Sequence, residues 1–343
     1  MAERASLKRM NQIVNQRAAL GAILFLASCG GSEEAQVNSA PDSITTPIVW
    51  QTNTFTEDLS ALAVSPSGSA VFLFAFENAG LSLVDIDGSP VSEPAPYRTN
   101  GAGTGVSTVI EGANLTLFPG ISRNADKLVV FVHGEGLVAP IEIELEAEIA
   151  GSVEGVCATQ SATDGAILDL AYWTTLDRET LYKGTVSAEG SNLLYEPTGN
   201  QVFERYLTSC ALTSNGTVAG GGFGVQFVAS DASLSDEANI VAVPGVPVSL
   251  SAVSQGGEMF SAMALSGGRV FIANDAGNFS ELEFGDALSS DSPETAGLVA
   301  FSERTDIPGF ANGFLAVESH KSGEDTQLVL TDYMALIDQL KDE

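Results

Sequence analysis

The chain is poor in positive charge. Of its 343 residues only 14 are Lys or Arg, against 44 Asp or Glu, for a formal net charge of −30. With so few cations to neutralise phosphates, non-specific nucleic-acid binding is excluded. There are two histidines, His133 and His320, too few for a multi-histidine zinc centre. Cysteine is almost absent, with three residues, Cys29, Cys157 and Cys210. No Gly-x-Ser-x-Gly nucleophile elbow occurs. His133, in Val-Phe-Val-His-Gly, reads as a strand-end residue without Ser and Asp partners. The glycine clusters at 101–105 and 220–224 do not sit between a strand and a long helix, so they are not nucleotide fingerprints. Helical periodicity is nearly missing after residue 57.

What is present divides the chain in three. Residues 1–28 read as an address: Lys8, Arg9 and Arg17 form a basic region, and Ala18–Leu26 is an apolar run too short to span a bilayer. Leu26-Ala27-Ser28-Cys29 then matches a lipobox, which implies cleavage before Cys29 and lipidation at its thiol and new amine. The competing reading is an ordinary secretory peptide with an incidental cysteine. Gly30 after the cysteine is not the Asp that retains lipoproteins at the inner membrane, so the expectation is lipid anchoring at the outer membrane of a Gram-negative bacterium, with the lipid on Cys29 as the membrane contact. Residues 29–46 are poor in large apolar residues and rich in Ser, Glu, Pro and Asn, which reads as a flexible tether. Residues 47–343 are the folded domain. With 44% hydrophobic residues overall, the chain has ample material for a core. Its acidity reads first as solubility and second as cation binding, since Ca²⁺ takes carboxylate and carbonyl oxygens.

The domain is built from a repeated unit, clearest at Glu57–Gly88. Leu59–Val64 is a strand, Ser65-Pro66-Ser67-Gly68 a turn, Ala70–Phe76 a second strand and Glu77-Asn78-Ala79-Gly80 a second turn. Leu81–Ile86 is a third strand, ended by Asp87-Gly88. Units recur near 57–88, 110–148, 153–199, 205–240, 248–287 and 296–332, a spacing of roughly 45 residues that suits four-stranded propeller blades. The Trp-Asp and Gly-His signatures of WD40 repeats are missing. The expected fold is all-β, a six-bladed β-propeller with a short C-terminal helix; five or seven blades, or a two-sheet sandwich, are the alternatives. That helix is placed at Thr331–Lys341, capped by Thr331, with Tyr333 or Met334, Ile337 and Leu340 on one face. Cys157 and Cys210, the thiols left after lipidation, either form one disulfide or are two small buried residues that never meet.

The opening unit resembles the first blade of the β-propeller phytases. Asp58, Ser65-Pro66, Gly80-Leu81 and Val84-Asp85-Ile86-Asp87-Gly88 fit that family's pattern. Further segments follow in the same order: Val153–Cys157, Thr208–Ala211, Gly220–Val228, Gly268–Asn274 and Phe310–Gln327. The resemblance implies a Ca²⁺ cluster at one end of the channel, phytate as substrate, Lys and Arg clamps on the phosphoryl groups, and a Cys157–Cys210 bridge between inner strands of neighbouring blades. Much of that apparatus is replaced here. The clamp lysine falls on Glu77, the family's acidic positions fall on Thr208, Gly221 and Gly222, and both Asp of one metal motif are lost in Thr295-Ala296-Gly297-Leu298-Val299. The surviving candidate metal ligands are Glu57, Asp58, Glu154, Asp275 and Glu318; for each, a solvated surface role competes. No catalytic residue is assignable. The expectation is therefore a phytase-like surface lipoprotein with a degenerate site. It would bind Ca²⁺ weakly or not at all and would act as a binding module or weak phosphatase, with an anionic small molecule as one expected ligand. The alternative is an active calcium-dependent phytate phosphohydrolase. No protein partner is named by any motif.

Overall fold

The computed structural model describes residues 42–222, 224–230, 239–285, 295–320 and 326–342. The leader, Cys29 and the chain up to residue 41 lie outside the described residues. Two strands open the described part, β1 (Ser43–Pro47) and β2 (Trp50–Gln51). Blade one is β3 (Leu59–Val64), β4 (Phe72–Phe76) and β5 (Gly80–Val84). Blade two is β6 (Val106–Ile110), β7 (Ala113–Ile121), β8 (Leu128–Gly134) and β9 (Ile141–Glu144), and blade three is β10 (Val153–Gln160), β11 (Ala166–Thr174), β12 (Asp177–Glu189) and β13 (Asn192–Val202). Blade four is β14 (Leu207–Thr213), β15 (Gly216–Gly221), β16 (Gly224–Ala229) and β17 (Asn239–Ala242). Blade five is β18 (Pro247–Gln255), β19 (Glu258–Leu265), β20 (Val270–Asn274) and β21 (Phe279–Gly285), and blade six is β22 (Thr295–Ser302), β23 (Phe314–His320) and β24 (Gln327–Asp332). One helix, α1 (Tyr333–Asp342), follows.

Each blade is an antiparallel meander, and together they are six sheets around a central axis, a six-bladed β-propeller. The inner strands β3, β6, β10, β14, β18 and β22 run the same way: Gly105 N–H donates to the Val64 carbonyl, while Val299 and Phe301 N–H donate to Ser249 and Ser251 Oγ in step. The upper end is where these strands begin. The buried apolar side chains form six clusters, one at each seam between consecutive blades, including the seam where blade six meets blade one. A middle strand therefore faces apolar neighbours on both sides. This is why Leu128–Val132 and Phe72–Ala75 are continuous hydrophobic runs rather than alternating ones.

The ring is closed by the beginning of the chain. β2 pairs antiparallel with β24 as the outer strand of blade six, and β1 adds in parallel to β21 at the outer edge of blade five. The tether expected to reach Thr46 thus gives way to sheet by Ser43. Its alternating pattern, with Ile44 and Thr46 buried and Ser43, Thr45 and Pro47 exposed, is that of a strand with one face on the core. Blade one has no regular fourth strand; Val84 bridges to Pro90 and Leu81 to Ala95 in its place. Gly80 allows this, because its φ is +90° and an added Cβ would lie 2.2 Å from the Ala95 carbonyl oxygen.

The helix starts two residues later than expected. Thr331 is the penultimate residue of β24, and the cap is Asp332, whose Oδ1 accepts from Met334 N–H at 2.9 Å and Ala335 N–H at 3.4 Å. Tyr333, Leu336, Ile337 and Leu340 bury the helix against blades five and six. Cys157 and Cys210 are bonded to each other, joining the inner strands of blades three and four with their Cα atoms 5.8 Å apart.

Candidate functional site

Four of the five candidate ligands lie at the upper end, but not as one group. Glu318 on β23 is only 2% exposed. Its Oε2 accepts from Leu298 N–H at 2.9 Å, and its Oε1 has no hydrogen-bond partner and lies 3.5 Å from His320 Nε2. Burial raises its pKa above the usual carboxylate range, and the charge of neighbouring Asp58 raises it further, against the opposing pull of the Leu298 amide and His320. Glu57 and Asp58 enter β3 on the adjacent blade, and Glu57 Oε2 is likewise buried without a partner. Asp58, Glu318 and His320, where the ring closes, are what the structure brings together. Gly297 makes room for them, since a Cβ there would meet Glu318 Oε2 at 2.2 Å and His320 Nε2 at 3.0 Å.

Glu154 stands apart at the start of β10, ion-paired to Arg178 on its own blade. Asp275 is at the opposite, lower end, in the turn after β20. Its Oδ2 accepts from Met259 N–H at 3.0 Å, and its carbonyl accepts from Asn239. Glu154 is engaged across its own blade and Asp275 in holding its own turn. Among the described residues no three His, Cys, Asp or Glu side chains are grouped as a metal centre. The set does not fit a multi-calcium cage, which needs six to eight oxygens per ion at one place.

The axial channel offers little space. Ala63, Gly103, Ala158, Ala211, Ala252 and Ala300 line it, one small residue from each blade, around a cavity of about 50 Å³. The disulfide sits in the same wall.

A larger cleft, of about 430 Å³, opens at the lower end between blades one and two. It exists because blade two reaches lower than its neighbour: β6 and the start of β7 continue past the level at which β3 turns back. One wall is the Ser65–Ala70 turn; the other is Ser107, Thr108, Asn114 and Thr116, with His133 beside Gly134 at its edge. Ser67 Oγ and Ser107 Oγ are 2.7 Å apart and pin the two walls at one point. Arg304, 6% exposed, holds the turn from behind: Nη1 donates to the Ala70 carbonyl at 2.6 Å and Nη2 to the Gly68 carbonyl at 2.7 Å, while Nε and Nη2 also donate to the Asp306 carboxylate. His133 Nδ1 is buried and without a partner, and burial lowers the pKa of the ring, which keeps the imidazole neutral.

Sequence reasoning did not find this cleft. The Ser-Pro-Ser-Gly-Ser segment reads as a turn and Ser107-Thr108 as strand. The signal that they meet is blade stagger, which no local pattern carries.

Comparison with known proteins adds no family. No protein-family model matches the chain, and no curated protein matches it. Among solved structures, two crystal structures of BBS1N in complex with ARL6DN, soaked with mercury and with lead, align at TM-scores of 0.45 and 0.44. Both show 11% identity over 76% of this chain and 73% and 74% of theirs. Likenesses of that degree carry neither fold nor function, and the propeller stands on its own six sheets.

Proposed function

We propose that the chain is a binding propeller, held at the bacterial cell envelope by lipid on Cys29, on a phytase-like scaffold whose metal and phosphate apparatus has degenerated. One observation carries the non-catalytic part of this reading: the candidate carboxylates are dispersed. Glu154 is taken by Arg178 and Asp275 sits at the far end from Glu57, Asp58 and Glu318. Phosphoryl transfer at a calcium cluster requires ligands converging around the ions and cations facing the substrate. Among the described residues, the upper seam has carboxylates and His320, and no lysine or arginine is paired with them there.

The alternative, an active calcium-dependent phytate phosphohydrolase, draws on a different observation. Glu57 Oε2 and Glu318 Oε1 are buried acceptors without donors, which a cation would satisfy. The deciding assay is phosphate release from myo-inositol hexakisphosphate by residues 30–343 as Ca²⁺ is raised from chelator to millimolar. The expected result is no release and no calcium-dependent rise in melting temperature. Release that grows with Ca²⁺ and vanishes in Glu57→Gln/Asp58→Asn would establish the enzyme instead. The anchor is tested separately: Cys29→Ser should move the protein from the membrane to the soluble fraction.

A further inference from the structure

We propose that the lower cleft between blades one and two is a binding site for an uncharged, polyhydroxylated ligand, of the class of a short neutral oligosaccharide. The inference rests on the binding-module reading and gives it a ligand class. The first argument is what lines the cleft. In a chain with 44 acidic residues, no Asp, Glu, Lys or Arg among the described residues lines it; Glu135 stands outside the lining, its Oε2 accepting from Asn114 Nδ2 at 3.5 Å. An anion calls for cations, and an organic cation for carboxylates; the lining supplies neither. The phosphorylated ligand expected from the family resemblance is therefore a poor match for this site, and the chain's net charge of −30 repels it further.

The second argument is the hydrogen-bonding character of the walls. Ser67, Ser69, Ser107, Thr108 and Thr116 carry hydroxyls that both donate and accept. A surface of groups that do both complements a ligand whose hydroxyls do both. Val109, 63% exposed, and the half-buried Leu115 supply apolar surface for the C–H faces of such a ligand.

The third argument is size and rigidity. About 430 Å³ lies within the roughly 300–1,000 Å³ of small-molecule clefts. One wall is continuous sheet, and the other is a turn fixed from behind by the Arg304 guanidinium, so little ordering remains to oppose binding.

The test uses the purified full chain on an array of neutral, sulfated and uronic-acid oligosaccharides, followed by titration calorimetry with the neutral glycans retained. The expected result is retention confined to neutral glycans. Ser69→Trp, on the exposed turn, and Thr108→Trp, on the facing strand, should each weaken it at least tenfold with an unchanged melting temperature. Asp275→Asn at another turn should leave it intact. Failure to retain any neutral glycan overturns the proposal, as does retention that both tryptophan variants preserve, or a preference for the anionic glycans. None of these outcomes depends on phosphate release, so the ligand class and the non-catalytic reading can fail independently.

Discussion

Removing the Arg304 guanidinium tests whether the ring seam is held by this one buried cation. Arg304 follows β22 in blade six and reaches two carbonyls of the blade-one turn at 2.6 and 2.7 Å, with only 3% of its side chain exposed. Hydrogen bonds from a charged donor contribute about 1.5–3 kcal/mol each, so Arg304→Ala should cost about 3–5 kcal/mol. The Asp306 partner is 61% exposed and contributes little to that figure. Unfolding entropy of about 2.1 cal/mol/K per residue makes 1 kcal/mol worth about 1.6 °C for a domain of about 300 residues, so the expected fall is about 5–8 °C by calorimetry. Arg304→Lys should recover part of it, because an ammonium can serve one carbonyl but lacks the planar fork that reaches both. Hydrogen exchange should quicken first at the amides near Ala70. An Arg304→Ala protein melting within 1 °C of the parent, or Asp306→Asn proving equally damaging, would refute the argument.

Three further outcomes are expected. The disulfide closes a loop of sequence separation 53, for which the chain-entropy relation gives about 4 kcal/mol; Cys157→Ser/Cys210→Ser should melt about 7 °C lower. Glu318 has a raised pKa, so the folded protein holds its proton to higher pH than the unfolded chain does. Stability from this group should be greatest below the ordinary carboxylate value of 4.5 and decline as pH rises through the folded pKa. Glu318→Gln should remove that decline in melting temperature against pH; an identical profile would place the titration elsewhere. Gly155→Ala would put a Cβ 1.8 Å from Cη2 of Trp173, and overpacking of this kind costs about 1–3 kcal/mol, measurable by denaturant unfolding; an unchanged midpoint would mean the indole moves freely.

The first blade was the most legible part of the chain. Leu59–Val64 is a strand with the same bounds in sequence and in structure, because a Ser-Pro-Ser-Gly turn ends it on one side. The other two strands of the unit shift by one or two residues at their ends. The helix face was readable from its apolar spacing, but the cap was not, since Thr331 and Asp332 are both good caps and pairing of Thr331 with Leu315 in the sheet decides between them. The candidate carboxylates were read one at a time from their segments. Asp275 falls at the lower end because the turn after β20 follows three antiparallel strands of its blade, an odd number, and so lies opposite the end where β18 begins.

The sequence by itself determined the repeat and favoured six sheets over five or seven. A blade is a local object whose strands are neighbours along the chain, and its turns and apolar runs are written in a window of some 45 residues. Only the tertiary structure decided what happens where blades meet. The pairing of β2 with β24 joins residues about 280 apart, Glu318 acquires its neighbours from two other segments, and the cleft depends on how far blade two extends below blade one. Such features follow from the stagger of packed sheets. They have no signature in the spacing of residues along any one strand.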